Sequence, residues 1–281
     1  MAYSARVLLD SVAENGVRLT TLEVTFPRFV LAEFNTHRQF SRNSASSRAV
    51  PTAKLIERVE RDPVLPLQWG RNTSGMAASD VLDEADADSA RRIWLEARDD
   101  AVRHARELLE LRVHKQELNR LLEPFLWHTV IVTATEWTNF FELRCAPNAQ
   151  PEIREAAHRM RDAIAESASQ SIGPGQWHTP LLQSDEYGLA LEVRKRISAA
   201  RCARVSYLTH EGTREIEKDL ELFERLQSDR HLSPFEHVAT PSDDPGFHAN
   251  FRGWIQMRAA IERRSDTRAP ELQAVQPTSG V

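Results

Sequence analysis

Thr36-His37-Arg38-Gln39-Phe40-Ser41-Arg42-Asn43-Ser44-Ala45-Ser46-Ser47-Arg48 is the stretch on which the reading of this chain turns. It is crowded with hydrogen-bond donors, and Phe40 is its one large apolar side chain. Arg38, Arg42 and Arg48 stand among Ser41, Asn43, Ser44, Ser46 and Ser47, a set able to hold a phosphate through forked, charge-assisted hydrogen bonds. By composition alone it reads equally as a solvated loop, too polar for a core element.

Upstream, Arg18 to Phe26 places Leu22, Val24 and Phe26 on alternate positions among threonines and a glutamate, the period-2 pattern of a half-buried strand. From Pro27, suited to a first helical turn, Phe29, Val30 and Phe34 recur at helical spacing. This helix aims its C-terminal end at the polar segment. Downstream, Pro51 opens a short helix that Pro63 closes, and Trp69 to Ser79 reads as a loop. A long amphipathic helix is expected from about Asp80 to Arg112, with Ile93, Ala97, Ala101, Ala105, Leu108 and Leu109 as its apolar stripe. Phe125 to Trp137, rich in Val, Ile, Thr and Trp, fits either a strand or a buried helix because its periodicity is poor. Pro151 starts a helix to about Gln170 carrying Ile153, Ala157, Met160 and Ile164, and Ser171 to Pro180 reads as a Gly/Pro loop. Two more helices follow, near Gly188 to Arg201 and Gly212 to Ser228.

Composition bounds the function. The 281 residues are 41% hydrophobic and 27% charged, as in ordinary globular proteins, and 36 basic against 41 acidic side chains leave −5, which gives no general affinity for nucleic acid. An anionic substrate would need locally placed arginines. No run approaches a membrane span and the first ten residues lack a signal-peptide pattern, so a cytoplasmic location is expected. With no interior linker and no internal repeat, residues 1–264 are expected to form a single domain, and 265–281, polar and proline-containing, a mobile tail. Two cysteines, Cys145 and Cys202, exclude a disulfide framework and an all-cysteine metal site.

Three further segments carry functional groups. His114 to Arg120 reads as a helix end with favourable cations. Thr135 to Arg144 sets Asn139 and Arg144 in an aromatic-rich stretch suited to holding a flat ring or to packing a core. His231-Leu232-Ser233-Pro234-Phe235-Glu236-His237 follows Ala203-Arg204-Val205-Ser206. Its histidines lack the spacing of a helical zinc site, and no metal is expected. No Walker loop or Gly-x-Gly-x-x-Gly is present, so a Rossmann nucleotide site is unsupported. Cys145, beside Arg144, is a nucleophile candidate only if a cation lowers its thiol pKa; a semi-buried free cysteine is the plainer reading.

Taken together, these segments resemble the flavin-dependent thymidylate synthases. The family signature is Arg-His-Arg, seven residues, then Ser and an arginine two places later; here it reads Thr36-His37-Arg38, Gln39 to Ala45, Ser46, Ser47, Arg48. Asn139, Leu143 and Arg144 match the family's Asn-Phe-Leu-x-Leu-Arg; Gln150 and Glu152 match its Gln-x-Glu. Arg120, four residues before Pro124, matches a substrate-binding arginine. His231 to His237 resembles its Gly-His-x-Ser-Pro-Phe-Glu-His, and Ala203 to Ser206 its Ala-Arg-Val-Ser. Those last two segments precede the signature in the usual family and follow it here, so the chain looks circularly permuted. Permutation requires neighbouring junctions, which predicts that Glu236 to Thr240 ends near the start of the Arg18 to Phe26 strand. Thr36 stands for the signature's first arginine, Glu33 for an upstream glutamine and Ser44 for an acidic position.

The resemblance implies an α+β fold, an antiparallel sheet packed with long helices, in a homotetramer whose subunits share FAD and active sites. It implies FAD reduced by NADPH, methylenetetrahydrofolate as carbon donor, and methylation of carbon 5 of dUMP without a cysteine nucleophile. By the same resemblance Arg48, Arg120, Ser46, Ser47 and Glu33 would meet the nucleotide and Arg144 its pyrimidine edge, as the catalytic group. His37, Arg38, Asn43, Asn139, His231 and Ser233 would meet FAD. The altered signature also points to UMP in specialised nucleoside metabolism. Alternatives are a hydroxymethylase on the same fold, a flavin- or nucleotide-binding regulatory protein without catalysis, and a cysteine-dependent mechanism through Cys145.

Overall fold

The computed structural model describes residues 3–75, 77–78, 80–205 and 215–266. A strand absent from the sequence reading, β1 (Ser4–Ala13), turns through Asn15-Gly16 into β2 (Arg18–Pro27). Gly16 sits at φ +80°, where any Cβ would be strained, and Asn15 Oδ1 accepts from Val17 N at 3.0 Å. Pro27 ends the strand instead of opening a helix. A 3-10 turn (Arg28–Val30) and a short helix α1 (Leu31–Asn35) follow, because Phe34 must turn back into the core beneath Phe26.

Part of the polar segment is structural, contrary to expectation: Ser41–Ser44 is an edge strand, β3, and Ser47–Ala49 a 3-10 turn. Its polarity is tolerated because Ser41 and Ser47 are buried against hydrogen-bond partners. Next come α2 (Thr52–Arg61), α3 (Glu84–Glu110), α4 (Lys115–Leu118) and a 3-10 stretch (Asn119–Phe125). The expected α3 stripe is rotated: Val102 and Ala105 are buried, Trp94, Ala101 and Leu108 pack beside them, and Ile93 is 58% exposed. Trp94 sets this face, since its indole N–H reaches Val64 O at 2.9 Å.

The ambiguous run resolves as a strand, β4 (Trp127–Ala134), followed by α5 (Thr138–Arg144), α6 (Pro151–Glu166) and β5 (Gln170–Ile172). The sheet order is β3-β4-β2-β1-β5, antiparallel except for β1 with β5. One face presents Leu22, Val24, Phe26, Val130 and Val132 to Phe34, Phe140, Ile153 and Met160 from the helices. The other face carries Thr21 and Thr133, which are also fully buried. β2 is therefore covered on both sides, unlike the half-buried strand its alternation predicted, because the C-terminal part of the chain lies over the threonine face.

That part comprises α7 (Leu191–Ala203), α8 (Ile216–Ser228), a 3-10 turn (Ser233–Glu236), β6 (Ala239–Pro241), a small hairpin of β7 (Phe247–His248) and β8 (Phe251–Arg252), β9 (Trp254–Gln256) and α9 (Met257–Asp266). Buried Arg201 joins α7 to α8 by donating to Asp219 at 2.9 Å and to Glu186 at 2.6 Å. Ala239 shares a hydrophobic cluster with Leu19 and Trp254, and Trp254 donates to Val17 O at 3.2 Å. The predicted junction of Glu236 to Thr240 with the start of β2 is met. Helix α9 runs two residues past the expected domain end at 264; the rest of the proposed mobile tail lies outside the described residues, as does Ser206.

Candidate functional site

The signature segment has two ends, and a different arginine is bound at each. At its start, Thr36 closes α1 by donating to Glu33 O at 2.7 Å, which turns His37 inward against Phe140, centroids 4.8 Å apart. From the last turn of α5, Arg144 Nε donates to His37 Nε2 at 2.9 Å and Nη2 donates to Thr36 Oγ1 at 3.3 Å. His37 therefore accepts through Nε2 and carries its proton on Nδ1. Burial and the adjacent Arg144 and Arg42 charges push its pKa down to about 4, so it is neutral at pH 7. Thr36, where the family pattern has arginine, supplies an oxygen to the guanidinium in place of a second positive charge.

At the other end, Glu123 Oε1 accepts from Ser47 Oγ at 2.8 Å, Arg120 Nη1 at 2.8 Å and Arg28 Nη2 at 3.2 Å. Asn119, fully buried, donates to Ser47 O at 2.7 Å and Val50 O at 3.1 Å and accepts from Thr52 Oγ1 at 2.8 Å, which fixes this end of the segment. Ser46 caps the 3-10 turn by accepting from Arg48 N at 3.3 Å, and the Arg48 side chain is exposed. A cleft here is lined by Arg28, Ser46, Ser47, Arg58, Arg61 and His128. Arg58 has its pKa lowered by burial and by Arg61, against an opposing pull from Glu57. His128 is pushed down to about 3 by burial and by Arg28, 3.1 Å away, and stays neutral.

Between the two ends, a second cavity is lined by Arg38, Arg42, Glu236, Asn250, Gln256 and Arg258. Arg42 is anchored by donating to Phe34 O at 3.3 Å and His37 O at 3.2 Å, while Arg258 is held by Glu236 at 2.6 Å. Asn250 donates to Ser41 Oγ at 3.0 Å and Gln256 donates to the same oxygen at 3.1 Å, tying the C-terminal segment to β3. His237 Nε2 lies 3.3 Å from Asn43 Oδ1.

The contacts thus bring Ser47, Arg120 and the Ser46–Arg48 turn together at one end and Glu33, His37 and Arg144 at the other, with Arg38 and Asn43 between. No contact among the described residues of one chain links Arg144 to Arg120. Asn139, His231 and Ser233 have exposed side chains. Glu152, matched to the family by spacing, is buried and accepts from Leu67 N at 2.8 Å. Sequence reasoning missed Glu123, Arg28, Arg58, Asn250 and Gln256, and gave His237 a place in its motif but no partner. Only Glu123 left a signal, three residues after Arg120 and so on the same face of one helical turn. Burial raises the Cys145 thiol pKa and, more strongly, that of Cys202, opposite to the shift a nucleophile needs. No metal-binding cluster and no helix long and apolar enough to cross a membrane occur among the described residues.

A family model described as Thy1, thymidylate synthase complementing protein, matches residues 10–168, from β1 through α6. No curated protein matches in sequence. Among solved structures, a UMP/dUMP methylase, PolB from Streptomyces cacaoi, bound with 5-Br UMP, is similar at 17% identity and TM-score 0.48 over 59% of this chain and 89% of that one. The same protein bound with 5-Br dUMP gives 16% identity and TM-score 0.48 over 59% and 90%.

Proposed function

Because this chain belongs to the thymidylate synthase complementing protein family, enzymes of the flavin-dependent thymidylate synthase type, we propose that it methylates carbon 5 of a pyrimidine nucleotide, dUMP or UMP, with methylenetetrahydrofolate as carbon donor and NADPH as reductant. The observation that carries the reading is the family match itself, which spans Arg48, Arg120 and Arg144.

The residues suit that chemistry. Arg48, Arg120 and Ser46, beside a cleft lined by Arg58 and Arg61, would orient the nucleotide's dianionic phosphate. Ser47 and Glu33 belong to the same set, Ser47 through its bond to Glu123 and Glu33 through the α1 end that Thr36 closes. Arg144, resting on a neutral ring, keeps its full charge for the pyrimidine carbonyl edge, where negative charge grows as carbon 5 attacks. One preorganised cation of this kind contributes on the order of 3 kcal/mol in a dry site.

FAD fits the donor set: Arg38 and Arg42 supply positive charge at a cavity beside the Phe40–Trp137–Phe140 ring cluster. His37, Arg38, Asn43, Asn139, His231 and Ser233 would hold it. When bound and reduced, the flavin would supply the electrons that complete the methyl group. Exposed Asn139, His231 and Ser233 fit a flavin shared with a neighbouring subunit of a homotetramer.

The test is a turnover assay of dUMP and UMP side by side with FAD, NADPH and methylenetetrahydrofolate. Purified protein should be yellow, bleach under NADPH and recover its colour when nucleotide and folate are added, with a methylated product by mass spectrometry. A hydroxymethyl product would replace methylation by hydroxymethylation, in which water rather than hydride completes the transferred carbon. A protein that takes up no flavin would overturn the enzyme reading.

A further inference from the structure

Six side chains form one unbroken line of hydrogen bonds through the threonine face of the sheet. Ser11 Oγ lies 2.8 Å from His178 Nδ1, and His178 Nε2 lies 2.8 Å from Thr21 Oγ1. Thr21 Oγ1 is 2.7 Å from Thr133 Oγ1, which is 2.7 Å from His237 Nδ1. His237 Nε2 ends the line at Asn43 Oδ1, 3.3 Å away. Ser11, Thr21, Thr133, His178 and His237 are each fully buried.

Counting protons constrains the two ring nitrogens that face the threonines. Three hydrogen bonds separate His178 from His237, and the two threonine hydroxyls supply two of the hydrogens. The third must come from one ring and only one. If both facing nitrogens carried protons, one contact would hold two hydrogens. If neither did, a buried contact would have none, at the cost of an unmade bond. The count constrains only the two facing nitrogens; that each ring is neutral follows from burial, which pushes both pKa values down to about 3. The rings therefore share a tautomer, both Nε2–H or both Nδ1–H. The carbonyl of Asn43 selects the first: His237 Nε2–H donates to Asn43, Thr133 to His237, Thr21 to Thr133, His178 Nε2–H to Thr21, and Ser11 to His178.

We propose that His237 is a positioning residue, the last member of a one-directional relay that pins the Asn43 carbonyl oxygen and so reserves the Asn43 amide N–H groups for an acceptor oxygen of the bound ligand. The proposal rests on reading the signature segment as the ligand site. It explains why a buried sheet face carries threonines where valines would pack as well, and why His237, remote from the two arginine ends, lies against β3.

Full-length protein labelled with nitrogen-15 at histidine tests the relay directly, since long-range proton–nitrogen correlations show which ring nitrogen is protonated. Both buried rings should be neutral Nε2–H; an Nδ1–H ring or a cationic one overturns the relay. Separate titrations with FAD and with dUMP then test the positioning role. His237→Gln keeps an acceptor for Thr133 and a donor for Asn43, whereas His237→Leu keeps neither. Leucine should weaken one of the two ligands about tenfold, the worth of one hydrogen bond, and glutamine should restore it to within about threefold; the ligand affected identifies which acceptor Asn43 meets. Equal losses in both variants, or no loss in leucine, overturn the role. Thr133→Val, which interrupts the line without touching His237, should behave as leucine does and serves if leucine fails to fold. If wild-type protein binds neither ligand, the function falls and the positioning role with it, while the tautomers still decide the relay.

Discussion

Arg144 and Arg120 flank the same thirteen-residue segment and are held in opposite ways. Arg144 donates to a neutral imidazole and a hydroxyl, neither of which cancels its charge. Arg120 donates to Glu123, a carboxylate that also serves Ser47 and Arg28. A guanidinium on neutral acceptors is oriented yet electrostatically intact, which suits a group meant to meet charge that appears only during reaction. One held by a carboxylate is oriented and partly neutralised, which suits exchange of that partner for a phosphate already present in the ground state.

The contrast breaks most readily at Arg144. Arg144→Ala should lower kcat about 100- to 1000-fold, as loss of a preorganised charge donor does, with nucleotide affinity changed far less; an equal loss in KM alone would assign Arg144 to binding. Arg48→Ala should do the reverse, weakening nucleotide affinity roughly 10- to 100-fold for one charge-assisted bond, by calorimetric titration. Unchanged affinity would remove Arg48 from the phosphate site.

Acid should act next, on the Arg144 end through His37. The His37 pKa is held near 4, below the ordinary 6.5, so the unfolded chain takes up this proton first. Stability contributed by the neutral ring is full above about pH 6.5 and lost as pH falls toward 4. Protonation would also place a cation against Arg144 and remove its acceptor. Denaturant midpoints and kcat should both fall through that window, whereas His37→Asn should flatten the kcat profile. Glu123→Gln keeps an acceptor for Ser47 and Arg120 but drops the competing charge, so nucleotide should bind about two- to fivefold more tightly, the scale of a partly exposed ion pair; weaker binding would show that the carboxylate matters more for position than for charge. Cys145→Ala should leave turnover unchanged, and abolition would restore the cysteine mechanism.

Sequence patterning reached β2 as a strand through its alternation, though not the burial of its threonine face, and it reached the proline-started α2 and α6. It missed β1, whose pattern of exposure is irregular around a bulge between Val7 and Leu9. It also rotated the α3 stripe, since counting aliphatic side chains left out Trp94 as the anchor. The candidate residues Arg48, Arg120 and Arg144 were legible through the resemblance, whereas the bonds of Arg144 to His37 and of Glu123 to Ser47 were not, because those pairings cross between elements far apart in sequence. The resemblance carried the permutation, and the Ala239–Leu19 cluster bears out its geometric requirement.

The polar sheet face also has a consequence during synthesis. Thr21 and Thr133 leave the ribosome well before His178 and His237, the groups that will cover and bond them. Until those arrive, the nascent sheet turns hydroxyls rather than hydrocarbon toward its surroundings on this side, a surface that water wets and neighbouring chains have little cause to grip. The same threonines that order a proton line in the finished molecule would keep its half-made precursor soluble.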